Sequence, residues 1–177
     1  MNDTLPLVYL LILLVLLFGT AIFVILQITK TRKTESKLSS LKNKLTKDKG
    51  TIAEYYELGS IYLEKKLYVQ AVELLQKGLK IKDSENNQEY IAKIYNGLGF
   101  AYFAQEQYDI AIRQYKEAVK TDPNYITAYN NLGHAYERKK LTAQALEIYE
   151  SALKYDPEND TAKRRAESMR KRLTTSS

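Results

Sequence analysis

The sequence predicts an all-α protein in which an N-terminal transmembrane helix precedes an array of helix-turn-helix repeats and a C-terminal capping helix. Three observations support this fold class. An uncharged apolar run occupies residues 7–26. A pattern of small and aromatic residues recurs after 34 residues, which is typical of stacked helical pairs. A final segment carries its apolar residues on one helical face.

The apolar run is long enough to cross a bilayer as a helix. It holds 20 residues without a charge, and at about 1.5 Å per residue they span a hydrocarbon core of about 30 Å. A cleaved signal peptide is the competing interpretation. However, no base precedes the run, the run exceeds the usual length of about 7–15 residues, and no small-residue cleavage site is evident. We therefore expect a permanent anchor within residues 1–29.

The segment after the anchor is strongly basic. Residues 30–49 contain eight Lys or Arg residues and two acids, whereas residues 50–177 contain 19 bases and 18 acids. The positive-inside rule predicts that this side faces the cytoplasm, or the stroma in a plastid, and that the repeats lie there too. The juxtamembrane linker, residues 30–50, has two compatible interpretations: a solvated stalk and a contact with anionic lipid headgroups.

The repeat pattern is clearest in two consecutive copies. An earlier and weaker copy contains Gly59, which precedes Gly99 by 40 residues because a polar loop near residues 83–88 adds six. Glycine inside a helix costs roughly 1 kcal/mol relative to alanine, so Gly99 and Gly133 predict that a partner helix approaches closely. The two clear copies consist of Tyr95, Leu98, Gly99, Tyr102, Ala111, Tyr115, Ala118 and Pro123, and of Tyr129, Leu132, Gly133, Tyr136, Ala145, Tyr149, Ala152 and Pro157.

This pattern resembles the tetratricopeptide repeat family, with tyrosine in place of the usual first tryptophan. The resemblance implies a right-handed array of three repeats, which we bound at residues 51–173. A capping helix is expected because an open end would leave an apolar face in water, and we interpret its basic cluster as solvated outer surface rather than a binding site. We place the three repeats, the capping helix and a disordered tail at residues 52–85, 92–125, 126–159, 158–173 and 174–177.

Composition argues against catalysis and metal binding. The chain has no cysteine, which excludes disulfides and thiolate metal sites and suits a reducing compartment. Its single histidine, His134, cannot form a histidine metal cluster alone. No Gly-rich phosphate loop, nucleophile elbow or carboxylate pair with a histidine is present. We predict a non-enzymatic protein with no cofactor and no metal. Because the repeat segment is nearly neutral, we also predict no nucleic-acid partner.

In the tetratricopeptide repeat family, partners usually bind a concave groove lined by the first helix of each repeat. Phe100 and Phe103 are large and apolar although they lie outside the repeat signature. Two interpretations stay open: contacts with the neighbouring repeat, or an apolar patch whose asparagines hold a peptide backbone. Carried over by position, the groove residues are Tyr56, Ser60, Leu63, Lys93, Asn96, Phe100, Phe103, Asn130, His134 and Arg138.

One mode of binding within the family does not fit. Members that grip the carboxylate end of cytosolic chaperones have lysine or arginine at three groove positions, where this sequence has Tyr56, Thr127 and Asn131. The cations that would pair with carboxylates are missing. No binding to a chaperone C-terminal tail is therefore expected.

Taken whole, the layout resembles the membrane-anchored photosystem I assembly factors of plastids and cyanobacteria. The resemblance implies a non-catalytic adaptor that binds a photosystem I subunit or another assembly factor. It also implies a single-pass protein of the plastid thylakoid membrane, with its repeats on the stromal or cytoplasmic side. The alternative is a bacterial cell-envelope scaffold or adaptor with the same layout.

Overall fold

The computed structural model describes residues 4–47, 50–81 and 87–175, and the side chains from residue 6 onward within them. Regular structure in these residues is entirely α-helical, which confirms the predicted fold class. The polar loop at 83–86, the end of the first repeat and the last two residues of the predicted tail lie outside the described residues. The helices are α1 Thr4–Lys47, α2 Ile52–Glu64, α3 Tyr68–Leu79, α4 Gln88–Ala104, α5 Tyr108–Thr121, α6 Ile126–Arg138, α7 Thr142–Tyr155 and α8 Asp160–Thr175.

Helix α1 is continuous through the apolar run and into the basic linker as far as Lys47. Thr20 and Thr29 do not interrupt it, because their hydroxyls donate to the backbone carbonyls of Leu17 and Leu26, both at 2.9 Å. Such bonds satisfy a hydroxyl group inside the helix itself. The helix contains a stretch long and apolar enough to cross a membrane.

The chain divides into two compact units, residues 1–44 and residues 45–177. In the second unit, helices α2 to α7 form three consecutive pairs, α2 with α3, α4 with α5 and α6 with α7. Each pair also packs against the next, and α8 packs on α7. This is the helix-turn-helix array that the sequence predicts.

Glycines allow the two helices of a pair to approach closely. A Cβ atom added to Gly99 would lie 2.5 Å from Cδ1 and Cε1 of Tyr115, and one added to Gly133 would lie 2.6 Å from Cε1 and Cζ of Tyr149. These separations are far below the normal contact distance of about 3.5–4.0 Å between carbon atoms. The partner helix thus occupies the space that a larger side chain would need, as the sequence predicts.

The turns inside the three pairs share one conformation. In the first, the N–H of Leu67 donates to the carbonyl of Tyr62 at 2.8 Å and that of Lys66 to Leu63 at 2.9 Å, which is the Schellman arrangement. The residue in the left-handed region is Lys66, Glu106 or Lys140, each with φ of 60°. Glycine usually occupies this position, so each turn retains a backbone cost that glycine would reduce.

Helix α8 differs from the predicted cap at its C-terminal end. The apolar face predicted for this helix consists of Ala162, Ala166, Met169 and Leu173. The first three residues are buried at 1% exposure or less, but Leu173 is 38% exposed. The helix also continues to Thr175, so the expectation that the tail is disordered from residue 174 is wrong for its first two residues. The hydrogen bonds from the Thr174 and Thr175 hydroxyls to the carbonyl of Lys171 extend the helix.

Candidate functional site

Helices α2, α4 and α6 pack side by side along the array. Their surface carries the ten groove residues predicted from the sequence, and we call it the groove face. Phe100, at 43% exposure, and Arg138 are exposed, whereas the other eight residues are partly buried. The groove face is therefore partly a packing surface between repeats and partly open.

The first repeat contributes mainly packing to this face. Tyr56 and Leu63 lie against the core shared by the first two repeats. The ring centroids of Tyr56 and Tyr90 are 5.9 Å apart, in an edge-to-face arrangement. Lys93 lies above Tyr90, with Nζ 5.4 Å from the ring centroid. Its hydrogen bond to Glu89 raises the pKa of Lys93 above the ordinary value of 10.5.

The second and third repeats meet at an aromatic cluster formed by Phe103, Tyr108 and His134. The ring centroid of Phe103 lies 5.3 Å from that of Tyr108 and 4.9 Å from that of His134. Phe100 lies beside Tyr68, with 6.4 Å between ring centroids. These distances fall within the range of about 4.5–7 Å that aromatic pairs prefer. The face thus combines one exposed aromatic ring with a fixed group of partly buried rings.

Sequence reasoning missed Tyr68, Tyr90 and Tyr108 as members of this face. They lie outside the groove positions of the repeat, and Tyr68 and Tyr108 begin the second helices α3 and α5. A signal was present, because these two tyrosines occupy the same place in successive repeats, 40 residues apart like Gly59 and Gly99. The third repeat has Thr142 there, and no ring occupies that position.

The groove-face asparagines bind within the chain. Asn96 donates through Nδ2 to the Tyr125 hydroxyl at 3.2 Å and accepts through Oδ1 from Asn131 at 2.9 Å. Asn130 donates through Nδ2 to Oδ1 of Asn159 at 3.2 Å. Each asparagine therefore ties a first helix to a segment 29 residues later. For Asn96 this segment precedes α6 of the third repeat, and for Asn130 it precedes the capping helix α8. These bonds use one of the two Asn96 N–H donors and one lone pair of its Oδ1 atom, and they fix the orientation of the amide.

Asn130 retains one buried acceptor. Its Oδ1 atom is buried and, within the described residues, accepts no hydrogen bond. Its Nδ2 atom is held by Asn159, whose own Oδ1 also accepts from the backbone N–H of Ala162 at 3.0 Å. The orientation of the Asn130 amide is thereby set by the start of α8.

In the third repeat, the buried carboxylate of Glu137 links helices α6, α7 and α8. Glu137 accepts at Oε1 from the Tyr149 hydroxyl at 2.7 Å and at Oε2 from Arg165 Nη1 at 3.2 Å. Its side chain is 6% exposed. Burial, followed by the hydrogen bond to Glu137, raises the pKa of Tyr149 above its ordinary value of 10.0. Both carboxylate oxygens are satisfied, as a buried charge requires.

His134, a member of the aromatic cluster, is also close enough to Arg165 and Glu137 to be influenced by their charges. Burial is the main cause that lowers the pKa of His134 below 6.5, and the positive charge of Arg165 lowers it further. The imidazole is therefore neutral at physiological pH and contributes a ring rather than a charge. Among the described residues, no group of three or more His, Cys, Asp or Glu side chains is arranged to hold a metal ion.

Arg138 stands at the open edge of the aromatic cluster. Its Nη2 atom donates to the Tyr108 hydroxyl at 2.7 Å, and its Cζ atom lies 5.4 Å from the centroid of the same ring. The adjacent Lys139 pairs with Asp109. The groove face therefore ends in a guanidinium group that an aromatic ring holds in place.

Family models identify the repeats directly. Models described as tetratricopeptide repeat match residues 55–85 and 126–159, and one described as TPR repeat matches residues 99–140. Among solved structures, the crystal structure of MamA protein is 28% identical, with a TM-score of 0.62 over 70% of this chain and 64% of that chain. YrrB, titled a TPR protein with an unusual peptide-binding site, is 22% identical, with a TM-score of 0.62 over 80% of this chain and 70% of that chain. At that identity, the likeness to YrrB shows the fold alone.

Curated relatives narrow the assignment. The chain is 41% identical to uncharacterized protein ycf37 of Cyanophora paradoxa over 60% of each protein. It is 34% identical to ycf37 of Guillardia theta over 71% of this chain and 70% of the relative. It is 35% identical to the Arabidopsis thaliana tetratricopeptide repeat domain-containing protein PYG7, chloroplastic, over 68% of this chain. The alignments span three-fifths of the Cyanophora protein and 39% of PYG7. The chain belongs to the tetratricopeptide repeat family and, within it, to the ycf37 group.

Proposed function

We propose that this protein is a membrane-anchored, non-catalytic adaptor that binds a segment of another protein on its groove face. The observation that carries this proposal is the exposed ring of Phe100 on α4, which lies beside Tyr68. Further along the same helix, Phe103 packs against Tyr108. Exposed aromatic rings on a rigid helical surface are common anchors of protein interfaces. The nearly neutral charge of residues 50–177 favours recognition through apolar contacts and hydrogen bonds over long-range electrostatic attraction.

We further propose that the partner is a subunit or assembly factor of a membrane protein complex, and that this complex is photosystem I. The chloroplastic PYG7 relative and the ycf37 relatives support a plastid or cyanobacterial setting. The resemblance of the whole layout to photosystem I assembly factors supports the specific complex. A bacterial cell-envelope adaptor is the alternative, and the partner that is captured distinguishes the two.

Partner capture tests both levels of the proposal. A photo-crosslinking amino acid at position 100 in native membranes is expected to capture a photosystem I subunit or another assembly factor. The matched control carries the same amino acid at Tyr155, which is 50% exposed on the second helix of repeat three. Capture of only cell-envelope proteins would favour the alternative, and equal capture from both positions would contradict a groove-specific site.

Loss of the aromatic side chains provides the second test. The combined Phe100→Ala and Phe103→Ala change is expected to weaken co-purification of the partner while helicity and membrane attachment remain. Lys80→Ala, an exposed change at the end of α3, serves as the control. A folded double variant that retains the partner at the wild-type level would refute binding through this face.

Membrane attachment is tested separately. Because α1 contains an uncharged apolar stretch followed by the basic linker, we expect the protein to resist extraction by salt and to dissolve only in detergent. Protease added on the stromal or cytoplasmic side is expected to digest the repeats. Release by salt, or protection of the repeats from that protease, would exclude this topology.

A further inference from the structure

The guanidinium of Arg138 has no acidic partner among the described residues. Glu137 and Asp109, which adjoin Arg138 and Tyr108 in the chain, are both engaged elsewhere. Glu137 is bound by Tyr149 and Arg165, and Asp109 is paired with Lys139. Within the described residues, Arg138 donates a hydrogen bond to the Tyr108 hydroxyl and lies over the Tyr108 ring. An exposed arginine is thereby left with most of its five N–H donors unused.

This guanidinium is held in position before any ligand arrives. Tyr108 fixes it through the 2.7 Å hydrogen bond, and Phe103 fixes the Tyr108 ring at 5.3 Å between centroids. Ordering a long side chain on binding has an entropic cost, and a side chain that is already ordered avoids part of that cost. The planar fork of arginine also matches the two oxygens of a carboxylate.

The side chains around Arg138 determine which ligand group lies next to the bound carboxylate. Arg138 lies over the Tyr108 ring, which packs against Phe103, and Phe103 in turn packs against His134. The imidazole carries no charge at neutral pH because burial lowers its pKa. A ligand that places an anion on Arg138 therefore meets apolar ring surface immediately next to it. The neighbouring Lys139 and Arg165 are already paired, whereas an anion that binds Arg138 displaces no ion pair of that side chain.

We infer that the third-repeat end of the groove face binds the side-chain carboxylate of an aspartate or glutamate in a partner segment, with a neighbouring aromatic or aliphatic residue of the segment packed on Phe103 and His134. This inference deepens the proposed function and rests on it, because it assigns a chemical class to the segment that binds the groove face. Arg138 acts as the specificity-determining residue, and Tyr108 acts as a positioning residue through its hydroxyl. The occupant is an internal protein segment; a free C-terminal carboxylate is an outcome that the test distinguishes.

The test uses the full chain in discs of zwitterionic lipid and a display library of random 12-residue peptides, presented either with both ends blocked or with a free C-terminus. Wild-type protein is expected to enrich peptides with an aspartate or glutamate close to an aromatic or aliphatic residue in both formats. Replacing that acid by its amide in a synthetic copy of an enriched peptide is expected to weaken binding about tenfold.

Variants separate the roles of the residues. Arg138→Gln is expected to bind the acidic peptide and its amide copy equally, while the preference for aromatic residues remains. Arg138→Lys keeps the charge without the fork and is expected to retain part of the acid preference. Tyr108→Phe removes only the positioning hydroxyl and is expected to reduce the difference between acid and amide. Arg113→Gln, an exposed arginine on α5, is the matched control and is expected to behave as wild type.

The outcomes distinguish this inference from the proposed function. Two results would overturn the role of Arg138 while leaving binding to the groove face intact. One is enrichment of apolar peptides with no preference for an acidic residue. The other is a preference for acidic peptides that persists in a folded Arg138→Gln variant. Enrichment confined to peptides with a free C-terminus would overturn the choice of a side-chain carboxylate. Peptides that bind the Phe100→Ala, Phe103→Ala double variant as well as wild type would overturn the proposed function itself.

Discussion

The Gly133→Ala substitution tests the packing of the repeats at one of their closest contacts. The added Cβ would lie 2.6 Å from two ring atoms of Tyr149 and 3.0 Å from a third. The ring is 1% exposed, and its hydroxyl donates to the buried Glu137 carboxylate at 2.7 Å. The ring therefore cannot retreat without stretching or breaking that bond. Even a single methyl group is expected to disturb both the helix pair and the buried network.

Opposing effects set the expected magnitude. Alanine is favoured over glycine in a helix by about 1 kcal/mol. Overpacking costs about 1–3 kcal/mol, and loss of a hydrogen bond to a charged group costs about 1.5–3 kcal/mol. The net expectation is a loss of about 1.5–5 kcal/mol in the free energy of unfolding. Gly133→Leu adds three further carbons at the same place and is expected to cost more.

Urea unfolding of residues 50–177, followed by far-UV circular dichroism, measures this loss. Gly97→Ala is the matched control, because its Cβ would meet only the methyl ends of Leu75 and Leu63, at 3.1 and 3.3 Å. These flexible ends can shift, so we expect a change within about 1 kcal/mol of wild type. An unchanged free energy of unfolding in Gly133→Ala would refute the packing argument. A double-mutant cycle with Tyr149→Phe should give less than the sum of the single losses, because each change removes the same hydrogen bond.

Three further predictions follow from the same unit. Lys140→Gly should raise the free energy of unfolding by up to about 1 kcal/mol, because Lys140 has φ of 60° and glycine adopts that region freely; Lys139→Gly, at φ of −82°, should lower it in the same urea titration. Burial lowers the pKa of His134 below 6.5, so the imidazole binds a proton more readily in the unfolded chain than in the folded one. The free energy of unfolding should therefore fall as pH drops through and below 6.5. His134→Gln should remove this part of the fall. Burial raises the pKa values of Tyr125 and Tyr129 from 10.0 to about 12, so the folded unit should lose stability as pH rises above 10, with tyrosinate absorbance and loss of helicity appearing together; ionisation of all tyrosines before any unfolding would contradict this.

The helices and their closest contacts could be predicted from the sequence because their cause is local and repeated. A glycine in a helix interior has a cost that only close packing offsets, and Gly99 and Gly133 carry that information by themselves. The turns were less predictable. Lys66 and Lys140 occupy a backbone region in which glycine is usual, so their residue type does not indicate this conformation.

The positions of the groove-face residues could be predicted from the sequence, but the hydrogen bonds that these residues form could not. Placing Asn96 and Asn130 on the first helices follows from the repeat, yet the partners of their amides depend on residues 29 positions later. The same limit applies to Arg138. Its residue type and helix were readable from the sequence, whereas the partner that holds it, Tyr108, lies on another helix and outside the family's groove positions. Side-chain networks between repeats depend on relative helix placement, which a single repeat does not encode.

The polar and aromatic residues around the groove face have two separate roles, structural contacts and ligand contacts. Asn96 joins the second repeat to the third, whereas Asn130 and Glu137 join the third repeat to α8 and the segment before it. The groups that remain for a ligand on the groove face are therefore chiefly the Phe100 ring and the Arg138 fork. So few contacts favour modest affinity, because interfaces derive most of their energy from a small number of buried anchors. If α1 anchors the chain, a partner in the same membrane is met at an effective concentration that compensates for weak binding. Under the proposed function, weak contacts confined to a membrane would let the adaptor bind its partner there and release it again.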